Sequence, residues 1–172
     1  ASAGFSIVIA SPNQQAESIG HGLGATPRLI ISKSRTVTDD WTVYHSSVGA
    51  DYILRLNDNS AKQNVSGFWG TINNSTFAVS AGNRSHNSGN MVYYCFAPVA
   101  GYSAFGSYTG NGSADGPFVY TGFRPRFILR KQTNSAQHWH ITDTARDPEN
   151  AADSWLFPNL SDAEGSGDID RH

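Results

Sequence analysis

Cysteine is almost absent from this chain: Cys95 stands alone among 172 residues. A lone thiol closes no intrachain disulfide and builds no cysteine-rich zinc site. Set between aromatics in "MVYYCFAPVAG", it reads as a small buried apolar residue. Charge is scarce too, at 15% of residues against roughly 25% in an average globular domain. The net charge of −2 provides no basic field, so neither nucleic acid nor anionic lipid is expected as a partner. No apolar run approaches the ~20 residues of a membrane helix. The opening "ASAGFSIVIASP" lacks the basic leader of a signal peptide. No membrane insertion is expected.

What fills the chain instead is glycine, small polar residues and aromatics, with 17 Gly and 12% Phe, Trp and Tyr. That balance favours strands joined by polar turns over helices. Alternation and β-branched or aromatic enrichment between turn signals predict strands at 5–10, 28–32, 41–45, 52–56, 76–79, 91–97, 101–108, 118–121, 126–131 and 138–143. "SPNQ", "NDNS", "INNS", "TGNGSADG" and "TNSAQ" supply turns between them. "SSVGAD" and "DTARDPENAAD" are the only stretches that suit a short helical turn. The reading is an all-β fold, a β-sandwich or jelly roll, with residues 1–172 as one domain.

The chain also repeats itself. "FSIVIASPNQQAESIGHGLGATPRLIISK" (5–33) and "FGSYTGNGSADGPFVYTGFRPRFILRK" (105–131) both run from Phe through a polar stretch to Gly, Pro-Arg and a strand ending in Lys. Pro27 and Pro125, Lys33 and Lys131, and Trp41 and Trp139 are each 98 apart; Leu54 and Leu156, and Asn57 and Asn159, are 102 apart. A first copy over about 5–100 and a partial second over about 105–172 are expected. A period near 100 is too long for a solenoid. An incomplete copy leaves unpaired strand edges, through which a homo-oligomer is expected to form.

Chemistry is harder to find. In "HWH", His138 and His140 share one face of a strand, as two metal ligands would. The equivalent "DWT" keeps the Trp and loses both imidazoles, so no metal is assigned and Trp41 and Trp139 read as core anchors. Trp69 and Trp155 lack such counterparts and are candidate exposed stacking surfaces. "AGNRSHNSGN" (81–90) is the most loop-like segment and contributes Arg84 and His86. Asp143, Asp147 and Glu149 crowd "DTARDPEN" without forming a recognisable acid/base pair. "TGNGSADGP" lacks the helix and lysine of a phosphate loop and the pattern of an EF-hand. No Gly-x-Ser-x-Gly elbow occurs. No catalytic residue, metal or cofactor is assigned, and the chain is not expected to be an enzyme.

"GHGLGATPRLIISK", "YYCFAPVAGYSAFGSYTGNGSADGPFVYTGFRPRFILRK" and "DTARDP" together resemble a domain recurrent in bacteriophage tail-fibre and virion structural proteins. The resemblance covers nearly the whole chain. It implies a concanavalin-like β-sandwich and a place in a virion appendage, extracellular when acting; it carries no catalytic residues. The expected function is non-enzymatic adhesion to a cell-surface glycan or protein. Candidate contacts are Trp69, Trp155, Arg84, His86, His138 and His140. A structural spacer or oligomerisation module is the alternative, and a polysaccharide depolymerase the third reading.

Overall fold

A computed structural model describes residues 4–12, 14–81, 89–113, 116–148 and 153–166. Arg84, His86 and Glu149 lie outside the described residues. Among those described there is no helix, and every strand pairing is antiparallel. The fold is all-β and consistent with a β-sandwich.

The chain runs β1 (Phe5–Ala10), β2 (Glu17–Gly20), β3 (Leu29–Ser34), β4 (Thr42–His45), β5 (Tyr52–Arg55), β6 (Gln63–Asn64), β7 (Trp69–Ile72), β8 (Thr76–Val79) and β9 (Met91–Phe96). It continues with β10 (Phe127–Arg130), β11 (His140–Asp143), β12 (Ser154–Trp155) and β13 (Gly165–Ser166). A six-stranded sheet has the order β1-β9-β3-β4-β5-β6, and a three-stranded sheet the order β2-β8-β7. The period-2 pattern of each strand decides which face meets the core. Ile30, Tyr44, Ile53, Met91, Tyr93 and Cys95 point from the large sheet into one buried cluster. Ile19, Trp69, Phe77 and Val79 enter it from the small sheet. The last strand to arrive, β9, sits between the first and the third. Its inward residues Met91, Tyr93 and Cys95 are fully buried.

The opposite face of the large sheet carries a second cluster. Val43 and Leu54 pack there with Trp139, flanked by Leu29, Ile31, Leu56 and Leu129. Trp139 and Leu129 come from beyond residue 100, so this cluster fastens the later part of the chain to the earlier. Lys62 N–H donating to Thr133 O at 2.9 Å adds a backbone tie.

The later strands keep the registers of the earlier ones. Leu29↔His45 through Ser32↔Thr42 becomes Phe127↔Asp143 through Arg130↔His140, every position 98 higher. Tyr52↔Asn64 and Ile53↔Gln63 become Ser154↔Ser166 and Trp155↔Gly165, 102 higher. Val43↔Leu54 is matched by an isolated bridge between Ile141 and Leu156. Turn details follow suit. Ser46 N–H donates to Arg28 O at 2.8 Å and Thr144 N–H to Arg126 O at 3.0 Å. Gly22 and Gly122 both sit at positive φ, 66° and 80°, where a side chain would be strained.

Several sequence expectations are corrected. Residues 101–108 and 118–121 alternate like strands but form none, apart from a Val99↔Ser103 bridge. Alternation sets the faces of a strand, but its backbone also needs a ladder partner. β2, β6, β7, β12 and β13 were not anticipated, being too short or too polar to show a period. The "SSVGAD" and "DTARDPENAAD" stretches hold turns where described. Of the two expected anchors, Trp139 is buried, whereas Trp41 is half-buried and stacks on Tyr94 at 6.3 Å.

Candidate functional site

By register, the positions of β10, β11 and β12 that answer to Ile30, Tyr44 and Ile53 are Ile128, Thr142 and Trp155. In the first half this face is the core, and Ile30 is 0% exposed. In the second, among the described residues, it is less covered, and Ile128 is 46% exposed. Thr142 and Trp155 are only partly buried. Phe118 and Tyr120, in the segment before β10, are 90% and 83% exposed. Apolar surface of this kind normally lies against something.

Three of the sequence candidates meet on this part of the molecule, around Phe157. Ring centroids lie 5.2 Å from His138, 4.9 Å from His140 and 6.4 Å from Trp155. Trp155 in turn lies over Gly165, where a Cβ would fall 2.6 Å from the indole nitrogen; the close approach requires glycine there. Trp155 Nε1 and Arg130 Nε are shielded from solvent and have no hydrogen-bond partner among the described residues. An unmet buried donor of this type costs roughly 1–3 kcal/mol.

The histidines are already engaged. Asn159 donates from Nδ2 to His138 Nδ1 at 2.8 Å and accepts from Trp139 N–H through Oδ1 at 3.0 Å. In the first half Asn57 does the same work, donating to Asp40 Oδ1 at 2.8 Å and accepting from Trp41 N–H at 2.8 Å. His138 therefore occupies the place of Asp40 as a turn-bracing acceptor. His140 donates from Nδ1 to the His138 carbonyl at 3.1 Å. Burial first, and then the positive charge of Arg130, hold the His140 imidazole below its usual pKa. Among the described residues no group of three His, Cys, Asp or Glu is placed to hold a metal.

Trp69 is corrected outright as a surface. It is 2% exposed and packed edge-on against Tyr44, Phe68 and Phe77 at 5.9, 5.5 and 6.3 Å, so no ligand reaches its ring. Cys95 is also fully buried, and burial pushes its thiol up to about 12. It is unsuited to nucleophilic attack. The two strand-end lysines each donate to a nearby backbone carbonyl. Lys33 Nζ donates to Asp39 O at 2.9 Å and Lys131 Nζ to Gln132 O at 2.7 Å.

Phe157, Ile128 and Arg130 were missed as members of this face. The signal was present: shifting the sequence by 98 and by 102 puts Ile128 on Ile30, Arg130 on Ser32 and Phe157 on Arg55. An open depression of about 620 Å³ lies beside the Phe127 end of β10, lined by Arg126, Phe127, Asp143, Thr144, Ala145 and Arg146. Arg146 is held there by ion pairs with Asp143 and with Glu164, the latter at 2.6 Å.

No curated protein and no solved structure matches the chain significantly. Residues 1–171 match a family described as a domain of unknown function, DUF7483, and the chain belongs to that family.

Proposed function

We propose that this member of the DUF7483 family is a non-enzymatic building block of a virion appendage. In this reading a β-sandwich unit is duplicated, and the second copy is left open for assembly. The shared registers at offsets of 98 and 102 support the duplication. The resemblance to phage tail-fibre sequences supports the virion setting. The observation that carries the reading is the pair Ile30 and Ile128: equivalent in register, one sealed in a core and the other 46% exposed. Exposed apolar surface on a described sheet face is a candidate for coverage by another surface.

Sedimentation of the purified chain over a wide concentration range tests this. Reversible association is expected, weakened by Phe118→Ser together with Ile128→Thr. A monomer at every concentration, unchanged by those substitutions, would remove the assembly reading.

Adhesion to a cell-surface glycan or protein is a second reading. The convergence of His138, His140 and Trp155 on Phe157 favours it, with the unmet donors of Trp155 and Arg130 nearby. An array of multivalently displayed glycans separates the two. Saturable binding lost in Trp155→Ala would put adhesion first.

A further inference from the structure

The segment between β9 and β10 carries one motif that neither functional reading uses. Asn111-Gly112, within "TGNGSADG", is the one Asn-Gly pair in the sequence. Asn111, Gly112 and Ser113 are all exposed and belong to no strand. Gly112 sits at φ 71°, and a Cβ built on it would meet nothing. With no side chain beside it, its amide nitrogen is open to the side chain of the residue before. That side chain is held in place. Ser113 N–H donates to Asn111 Oδ1 at 3.0 Å, the local turn that Asn makes with the backbone two residues on. The bond draws electron density from Cγ and is aimed at the oxygen on which negative charge would develop under attack. Asn57, Asn73 and Asn159 are engaged through both Oδ1 and Nδ2. In Asn111 only Oδ1 is engaged among the described residues.

We propose that Asn111 is a self-modification site, where the side-chain amide is lost by cyclisation onto the backbone nitrogen of Gly112. That nitrogen attacks Asn111 Cγ, a C–N bond forms, and its proton passes to the departing Nδ2. The bond between Cγ and Nδ2 breaks, ammonia leaves, and a succinimide spans the two residues. Water then opens the ring. Attack at Cγ gives Asp; attack at the main-chain carbonyl gives isoaspartate, in which the chain runs through the former side chain. Nothing is oxidised or reduced: one water is consumed and one ammonia released. The reacting atoms are neighbours in one chain, so bringing them together costs little entropy. Either product adds a negative charge to a chain of net −2, and isoaspartate also lengthens the main chain at this turn. The inference is independent of the assembly and adhesion readings.

The test incubates the whole folded chain at mildly alkaline pH and digests samples at intervals. Fragment masses report the exchange of amide for acid residue by residue. Asn59 and Asn134 are exposed and each is followed by Ser, so they serve as internal standards. Asn111 is expected to convert at least about tenfold faster than either, because only its neighbour lacks a side chain. Gly112→Ala is expected to slow the conversion by about tenfold or more. The added Cβ has room, and the strain of positive φ stays within an exposed turn. A parallel incubation in denaturant removes the bond from Ser113. The folded chain is expected to convert Asn111 at least as fast as the unfolded one.

Conversion of Asn111 no faster than that of Asn59 or Asn134, or unchanged in Gly112→Ala, would overturn the site. Slower conversion in the folded chain than in the unfolded one would overturn it too, for the turn would then protect the amide.

Discussion

The indole Nε1–H of Trp139 donates to the backbone carbonyl of Arg55 at 2.6 Å, joining two strands' worth of chain 84 residues apart. The ring itself is buried with Val43 and Leu54. This one side chain therefore both packs the second cluster and satisfies a carbonyl at the end of β5. Trp139→Ala is expected to cost about 3–5 kcal/mol, as for other buried aromatic truncations. Trp139→Phe keeps most of the ring but loses the donor, and is expected to cost about 1–2 kcal/mol. Chemical denaturation of the three proteins checks both values. The alanine variant should also broaden the transition or split it, because the two halves lose their main apolar tie.

Asn57 and Asn159 brace equivalent turns with equivalent bonds. Replacing either by Ala removes one bond to a backbone N–H and one to a side chain, an expected loss of about 1–2 kcal/mol. Hydrogen exchange should locate the damage differently. Asn159→Ala is expected to loosen β11 and leave β4 protected, and Asn57→Ala the reverse. Identical exchange maps for the two variants would contradict this division.

Burial holds the imidazoles of His45 and His140 below their usual pKa. The unfolded chain then binds more protons than the folded one across the interval between the two values. Their contribution is fully present above the unfolded pKa, about 6.5, and is lost as pH falls through the depressed folded values. Thermal midpoints should therefore fall between pH 7.5 and pH 5. The fall should be smaller in His140→Gln, which cannot take up the proton.

The thiol of Cys95 is fully buried and its pKa is pushed up to about 12. A soluble disulfide reagent at pH 8 is expected to leave the folded chain unlabelled and to react fully once denaturant unfolds it. Rapid labelling without denaturant would mean that β9 opens readily, against its place between β1 and β3 in the six-stranded sheet.

Much of the first half was legible in the sequence. β1 and β8 fall within their predicted bounds, and β3, β4, β5 and β9 differ by a residue or two at their ends. In those strands a clear period of two coincides with real burial. β2 and β7 of the small sheet were not legible, since four residues such as ESIG or WGTI carry no clear period and become strands by pairing with β8. The opposite error, at 101–108 and 118–121, has a related cause: the residues have strand character but no partner to pair with. For the candidate site, Trp155, His138 and His140 stand out in the sequence as an aromatic and two imidazoles that the similar earlier stretch lacks, and the fold gathers them around Phe157. Trp69 misled for the same reason. Having no counterpart does not expose a ring, and the three aromatics packed against Trp69 belong to β4, β8 and the residue before β7, which only the fold brings together.

Residue-resolved hydrogen exchange on the dilute, unliganded chain tests the central claim most directly, that the first half is closed and the second open. The account predicts that amides of β3 and β9 exchange only through global opening, whereas those of Phe127–Arg130 exchange at least about a hundredfold faster through local opening. Equal, high protection in β3 and β10 would contradict it, for then the second half is as complete as the first.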